Sequence, residues 1–122
     1  MKIAVTSKGT TLEDQVDPRF GRCANFVIVE TDDMRFEAIE NNNASVGGGA
    51  GIQSGQLVAD KDATVVLTGN CGPKAFRTLE AANIEVVIGA SGTIRNAIEQ
   101  YTSGQLSATA SANVESHAGV NP

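Results

Sequence analysis

Two cysteines, Cys23 and Cys71, are the softest donors in this 122-residue chain. Brought to one place, their thiolates suit a soft metal; left apart, they are two small buried hydrophobes. Two cysteines are too few for a disulfide framework and form no C-x-x-C pair. A second chemistry is anion capture. Lys8, Arg19, Arg22, Lys74, Arg77 and Arg95 account for most of the nine basic residues, on a chain whose formal net charge is −5. Glu13, Asp14 and Asp17 share the first of these segments, so the region is not purely positive. The third feature is Gly47-Gly48-Gly49-Ala50-Gly51. It lacks the Lys-Ser/Thr ending of a P-loop and reads either as a hinge or lid, or as backbone that approaches a bulky ligand closely.

Other chemistries are excluded. There is no G-x-S-x-G and no H-E-x-x-H, and the one histidine, His117, lies in a polar tail. That argues against most histidine-dependent catalysis. The acidic balance argues against nucleic acid or an acidic membrane as the main partner. No run approaches a membrane span of about 20 apolar residues. No leader segment is visible and the thiols are unpaired, so the expected compartment is the cytoplasm.

The elements that must position these residues alternate. Residues 2–6 read as a strand and 7–24 as a long loop. Residues 25–31, with unbroken Phe26-Val27-Ile28-Val29, read as a strand buried on both faces. Residues 34–40 alternate Met34, Phe36 and Ala38 against Arg35 and Glu37, as an edge strand with one wet face does. A short turn joins them, so the two are antiparallel. A helix is expected from Ile52 to about Asp60 and a strand at Val65-Val66-Leu67. Next comes a helix opened by Pro73 with Phe76, Leu79 and Ala82 in its stripe, then a strand from Ile84 to Ile88. Ile94, Ala97, Ile98 and Tyr101 mark a last helix capped by Ser91 or Thr93, stopping near Gly104. Residues 105–122 are expected to be a flexible tail, because they offer too little apolar surface to offset their ordering entropy.

A hairpin followed by βαβα with right-handed crossovers gives a five-stranded mixed sheet of order 3-2-1-4-5, strand two antiparallel, with about three helices. The loops 7–24, 41–51, 69–72 and 89–92 then gather on one sheet edge, where open α/β sheets bind ligands. Both cysteines and all six basic residues map there. Ribonuclease H has this sheet, but a metal-dependent nuclease needs carboxylates on its first strand, and Lys2-Ile3-Ala4-Val5-Thr6 has none.

Four segments are then familiar together: Val16-Asp17-Pro18-Arg19-Phe20-Gly21-Arg22, Gly49-Ala50-Gly51, Leu67-Thr68-Gly69-Asn70-Cys71-Gly72-Pro73-Lys74-Ala75-Phe76, and Gly89-Ala90-Ser91-Gly92-Thr93 with Gly104-Gln105-Leu106. In this order they resemble the dinitrogenase iron–molybdenum cofactor biosynthesis family, which includes NifX, NafY and the C-terminal domain of NifB. The first and third look most like its molybdenum–copper orange-protein subgroup. The resemblance implies a single ribonuclease-H-like domain over residues 1–104. It implies a non-enzymatic carrier of an anionic metal–sulfur cluster, a molybdenum–copper sulfide held without covalent attachment or a related Mo/Fe–S cluster, and absent from overexpressed protein.

The candidate site on this edge comprises Arg19, Phe20, Gly21, Arg22, Gly47, Gly48, Gly49, Ala50, Gly51, Asn70, Gly72, Lys74, Ser91, Gly92 and Thr93. The histidine common in the family before Gly-Ala-Gly is missing from Ala44-Ser45-Val46-Gly47-Gly48, which leaves Cys23 and Cys71 as the available soft donors. Two rival readings are an interaction module that partners a P-loop ATPase without holding a cluster, and a binder of a phosphorylated metabolite.

Overall fold

The computed structural model describes residues 1–42 and 50–109. Strand β1 (Lys2–Ser7) is buried from Ile3 onward and takes the middle of the sheet. Strand β2 (Asn25–Glu30) runs antiparallel to it, with Lys2 opposite Glu30 and Ser7 opposite Asn25. Strand β3 (Arg35–Glu40) returns antiparallel to β2 through a tight turn in which Met34 has φ 60. Helix α1 (Ala50–Asp60) crosses to β4 (Val65–Leu67), parallel to β1 on its other side. Helix α2 (Pro73–Ala81), β5 (Glu85–Val87) and α3 (Ile94–Thr102) complete the chain, with β5 parallel to β4. The order is β3-β2-β1-β4-β5, the mixed sheet expected from the sequence.

Strand alternation divides the core in two. Ala4, Phe26, Ile28, Val66 and Val86 pack under α1 and α2 against Val58, Phe76 and Leu79. Ile3, Val5, Val27, Val29, Val65, Leu67 and Val87 point the other way, onto Ile94, Ala97 and Ile98 of α3 and onto Leu12 and Val16 of the long loop. Each fully buried aliphatic side chain here contributes about 1.5–3 kcal/mol.

One boundary and one face differ from the expectation. Helix α1 begins at Ala50, not Ile52, because Gly51 and Gly55 form its contact with α2. A Cβ at Gly55 would lie 2.8 Å from Thr78 Cγ2, and one at Gly51 would lie 3.1 Å from the Ala75 Cβ. Glycine that reads as loop in sequence is here the small residue of a close helix crossing. The face expected to be covered on the 34–40 strand is covered only at Met34. Residues 35–38 are exposed, Phe36 at 44 %, and only Met34, in the turn, and Ile39, opposite Phe26, pack onto the core. The physical reason is that α3 packs over β1, β4 and β5 and does not reach β3.

Helix α3 ends where Gly104 takes φ 87, its N–H donating to the Tyr101 carbonyl (3.1 Å) while Gln105 N–H reaches Gln100 (2.8 Å). Beyond it Leu106 packs on the core under α3, and Thr109 N–H donates to the Val86 carbonyl at 2.8 Å. The rest of the expected tail, 110–122 with His117, lies outside the described residues, as do Gly47, Gly48 and Gly49. Among the described residues no helix is long and apolar enough to cross a membrane.

Candidate functional site

The long loop between β1 and β2 is fastened at both ends. Its middle leans on the turn after β4. Asn70 N–H donates to the Pro18 carbonyl (2.7 Å), Phe20 N–H donates to the Asn70 carbonyl (3.2 Å), and a Cβ at Gly69 would sit 2.7 Å from Pro18 Cα. Only glycine admits that approach. The Thr6 hydroxyl donates to the Asp17 carbonyl (2.6 Å) and lies 2.9 Å from the Thr68 hydroxyl. The Asp17 side chain, 4 % exposed, accepts from Arg19 N–H (3.0 Å) and from Arg19 Nε (3.3 Å). Arg19 is thus committed to its own loop, although its side chain is 62 % exposed.

The turn after β5 is drawn to a different part of this loop. Val16 N–H donates to the Gly92 carbonyl (2.9 Å), and Gln15 pairs with Thr93. The first amides of α3 are then all used. Ile94 donates to Asp14 (2.9 Å), Arg95 to Leu12 (2.9 Å), and Asn96 to the Thr93 hydroxyl that caps the helix (3.1 Å). Arg95 in turn bridges Glu13 at 2.8 Å. Gly92 and Thr93 therefore close one side of the edge by hydrogen bonds within the chain, with exposed Ser91 beside them.

The other side brings together Arg19–Cys23, Ala50–Gly51 and Asn70–Lys74. Gly21 has φ +94, and a Cβ there would meet Gly51 Cα at 3.0 Å, so backbone touches backbone. Buried Asn41 holds this contact, its amide donating to the carbonyls of Gly21 (3.1 Å) and Cys23 (2.9 Å). Phe20 and Phe26, with ring centroids 5.6 Å apart, floor the same region. Helix α2 opens here at Gly72-Pro73 with no side-chain cap. An uncapped helix N-terminus favours an anion. Lys74 lies in its first turn and Arg22 follows Gly21 on the neighbouring loop; both are exposed, and Arg22 makes no ion pair with a described residue.

Cys23 and Cys71 reach this same side and the same core cluster, with Phe20, Ala75 and Phe76. Both are buried free thiols. Burial pushes each up to about 12, with the Asp17 carboxylate adding to the effect at Cys23. At neutral pH they are protonated, and a thiol ligates soft metals only as thiolate. Among the described residues no group of three or more His, Cys, Asp or Glu side chains could hold a metal ion. Ligation through either thiol would therefore have to release its proton, whereas the helix start and the exposed cations beside it offer charge without that step.

Comparison with known proteins identifies the family. The family model described as dinitrogenase iron-molybdenum cofactor matches residues 1–104. The chain belongs to that family. An uncharacterized protein of Methanocaldococcus jannaschii is 31% identical over 109 residues, 87% of this chain and 89% of the relative. The apo form of the orange protein from Desulfovibrio gigas superposes with TM-score 0.90 at 42% identity, covering 92% of this chain and 95% of that one. A putative NifB protein from Thermotoga, solved by NMR, gives TM-score 0.77 at 32% identity, covering 88% and 91%.

Within this family architecture, the residues that sequence reasoning missed are those that hold the loops. Asn41, Thr6, Thr68 and Ser54 are buried polar groups, and the Ser54 hydroxyl donates to the Asn41 side-chain carbonyl at 3.5 Å. A polar residue just past an edge strand carries no motif, so no sequence signal singled out Asn41.

Proposed function

We propose that this chain binds and carries an anionic metal–sulfur cluster on the side of the sheet edge formed by Gly21–Cys23, Ala50–Gly51 and Cys71–Lys74. Family membership supports a cofactor-binding or carrier role. The observation that carries the reading is the uncapped start of α2, with exposed Lys74 in its first turn and exposed Arg22 on the neighbouring loop, set against a closed α3. A thiometallate is large, soft and multiply charged. Backbone amides and guanidinium groups hold such an ion without replacing its sulfur ligands. Glycines at 21 and 51 let the long loop, α1 and α2 close on one another beside this helix start, which sets the three segments around it. The resemblance to the orange-protein subgroup makes a molybdenum–copper sulfide the first cargo to test.

Titration of apo protein with tetrathiomolybdate and copper, followed by visible absorbance, tests this. Arg22→Gln with Lys74→Gln should weaken assembly of the coloured species by about 1–3 kcal/mol, the scale of lost charge-assisted hydrogen bonds. Added salt should have the same sign of effect. Cys23→Ser and Cys71→Ser should leave the colour nearly intact, since the thiols are protonated and buried. Assembly by the double Gln variant equal to wild type at low salt would sink the reading. Loss of colour in the serine variants would make coordination the main force instead.

A further inference from the structure

The two ends of the sheet are treated differently. Outside β5, Thr109 N–H donates to the Val86 carbonyl, so the chain's own C-terminal segment occupies part of that edge. Outside β3, no described residue pairs. Asn41 N–H donates to Ala24 beside the β2–β3 ladder, and antiparallel pairing alternates. Residues 35, 37 and 39 therefore bond toward β2, and the backbone groups of Phe36, Ala38 and Glu40 point outward. The strand carries no proline, no lysine and no bulge in its register; its charged residues, Arg35, Glu37 and Glu40, are of both signs.

We infer that β3 pairs antiparallel with β3 of a second copy of this chain, centred on Phe36. A two-fold axis perpendicular to the sheet lets a residue meet only one on its own face. Centred on Glu37, the pairing sets that carboxylate against its own copy. Centred on Ala38, it sets Phe36 against Glu40 and Glu37 against Ile39. Centred on Phe36, like meets like and opposite charges meet: Phe36 on Phe36, Met34 on Ala38, Arg35 on Glu37. Arg35 already holds Asp33 at 2.7 Å and Glu37 already holds Lys61 at 2.9 Å, with the Arg35 and Glu37 side chains 81 % and 58 % exposed. Pairing joins these two bridges into rows that alternate in sign. It also covers Phe36, one of only three large apolar side chains exposed among the described residues. The axis inverts one copy's strand direction, so the two glycine-lined edges face opposite ends of a ten-stranded sheet and both stay open.

Sedimentation velocity of the full chain, from about 10 μM to about 1 mM, spans the range in which a small interface associates. A concentration-dependent dimer is expected. Arg35→Glu turns two attractive cross-strand pairs into repulsive ones and should weaken dimerisation about tenfold, as should Glu37→Arg. Combining Arg35→Glu with Glu37→Arg should restore it. Ala38→Pro removes an outward N–H without touching the β2 ladder and should abolish it; Arg35→Glu, a surface change, keeps the test open if the proline variant does not fold. A monomer throughout overturns the proposal. So does a dimer indifferent to Arg35→Glu, a double variant that stays weak, or a wild-type monomer that dimerises only when residues 110–122 are removed, which would show the tail on this edge.

Discussion

The turn after β4 and the turn after β5 leave the same sheet edge, each through glycine, and each feeds a helix of nine residues. At α3 the three leading amides are taken by Asp14, Leu12 and the Thr93 cap. At α2 the first residue is Pro73, which has no N–H, and Gly72 brings no side chain to cap the rest. One helix end is sealed by its own chain and the other has no side-chain cap. The difference shows that a helix N-terminus is not in itself an anion site; what matters is whether the loop in front of it competes for the amides.

The open side must then be held open by other means, and these are the sharpest places to break it. Gly21→Val meets two obstacles, a φ of +94 and Gly51 Cα 3.0 Å from its new Cβ. It should cost about 3 kcal/mol or more, combining backbone strain with overpacking. Asn41→Leu strands the buried carbonyls of Gly21 and Cys23 and should cost about 2–3 kcal/mol. Urea unfolding checks both. If Gly21→Val unfolds at the wild-type midpoint, the backbone contact between the long loop and α1 is not a structural joint.

Alkali sharpens the comparison, because the thiols lie on the open side only. An unfolded thiol loses its proton near 9.0, whereas Cys23 and Cys71 are held protonated up to about 12. Between those values the folded state binds more protons. Stability is therefore fully present below the unfolded value and is lost as pH rises toward the folded one. The slope is about 1.4 kcal/mol per pH unit for each thiol. Tyr101, raised from 10.0 to about 12 by burial and by its hydrogen bond to Glu85, adds in the same direction. The Cys23→Ser, Cys71→Ser double variant should lose less stability between about pH 9 and about pH 11 than wild type does. Equal loss in both would mean that the thiols are less enclosed than their burial indicates.

Much of this was legible in the residues. Alternation of apolar runs and turns specified the strand order, because a hairpin followed by βαβα leaves few topologies. The gathering of four loops on one edge follows from that order alone. What the chain did not advertise was the split of the edge. Ser91, Gly92 and Thr93 look as much like a ligand loop as Asn70, Cys71 and Gly72 do. Both turns pair with the long loop; what separates them is that Asp14 and Leu12, far away in sequence, take the leading amides of α3. Arg19 and Arg22 are likewise equal in sequence, yet Arg19 is tied to Asp17 and Arg22 is not. Composition does not tell a helical glycine from a loop glycine either, so the first turn of α1 was hidden in a glycine run.

The smallest expected effect is the one that isolates the sealed side. Thr93→Ala removes the hydroxyl that accepts from Asn96 N–H at 3.1 Å. Loss of such a cap costs about 1 kcal/mol. The Asp14 and Leu12 carbonyls still hold the two preceding amides, so α3 should remain closed and the loop in place. Thermal unfolding should therefore fall modestly, while assembly of the coloured thiomolybdate–copper species should match wild type. Arg22→Gln with Lys74→Gln should do the reverse, leaving unfolding nearly unchanged and weakening assembly. If Thr93→Ala instead weakens assembly as much as the double Gln variant, the cargo spans both turns, and the division of the edge into a closed half and an open half is wrong.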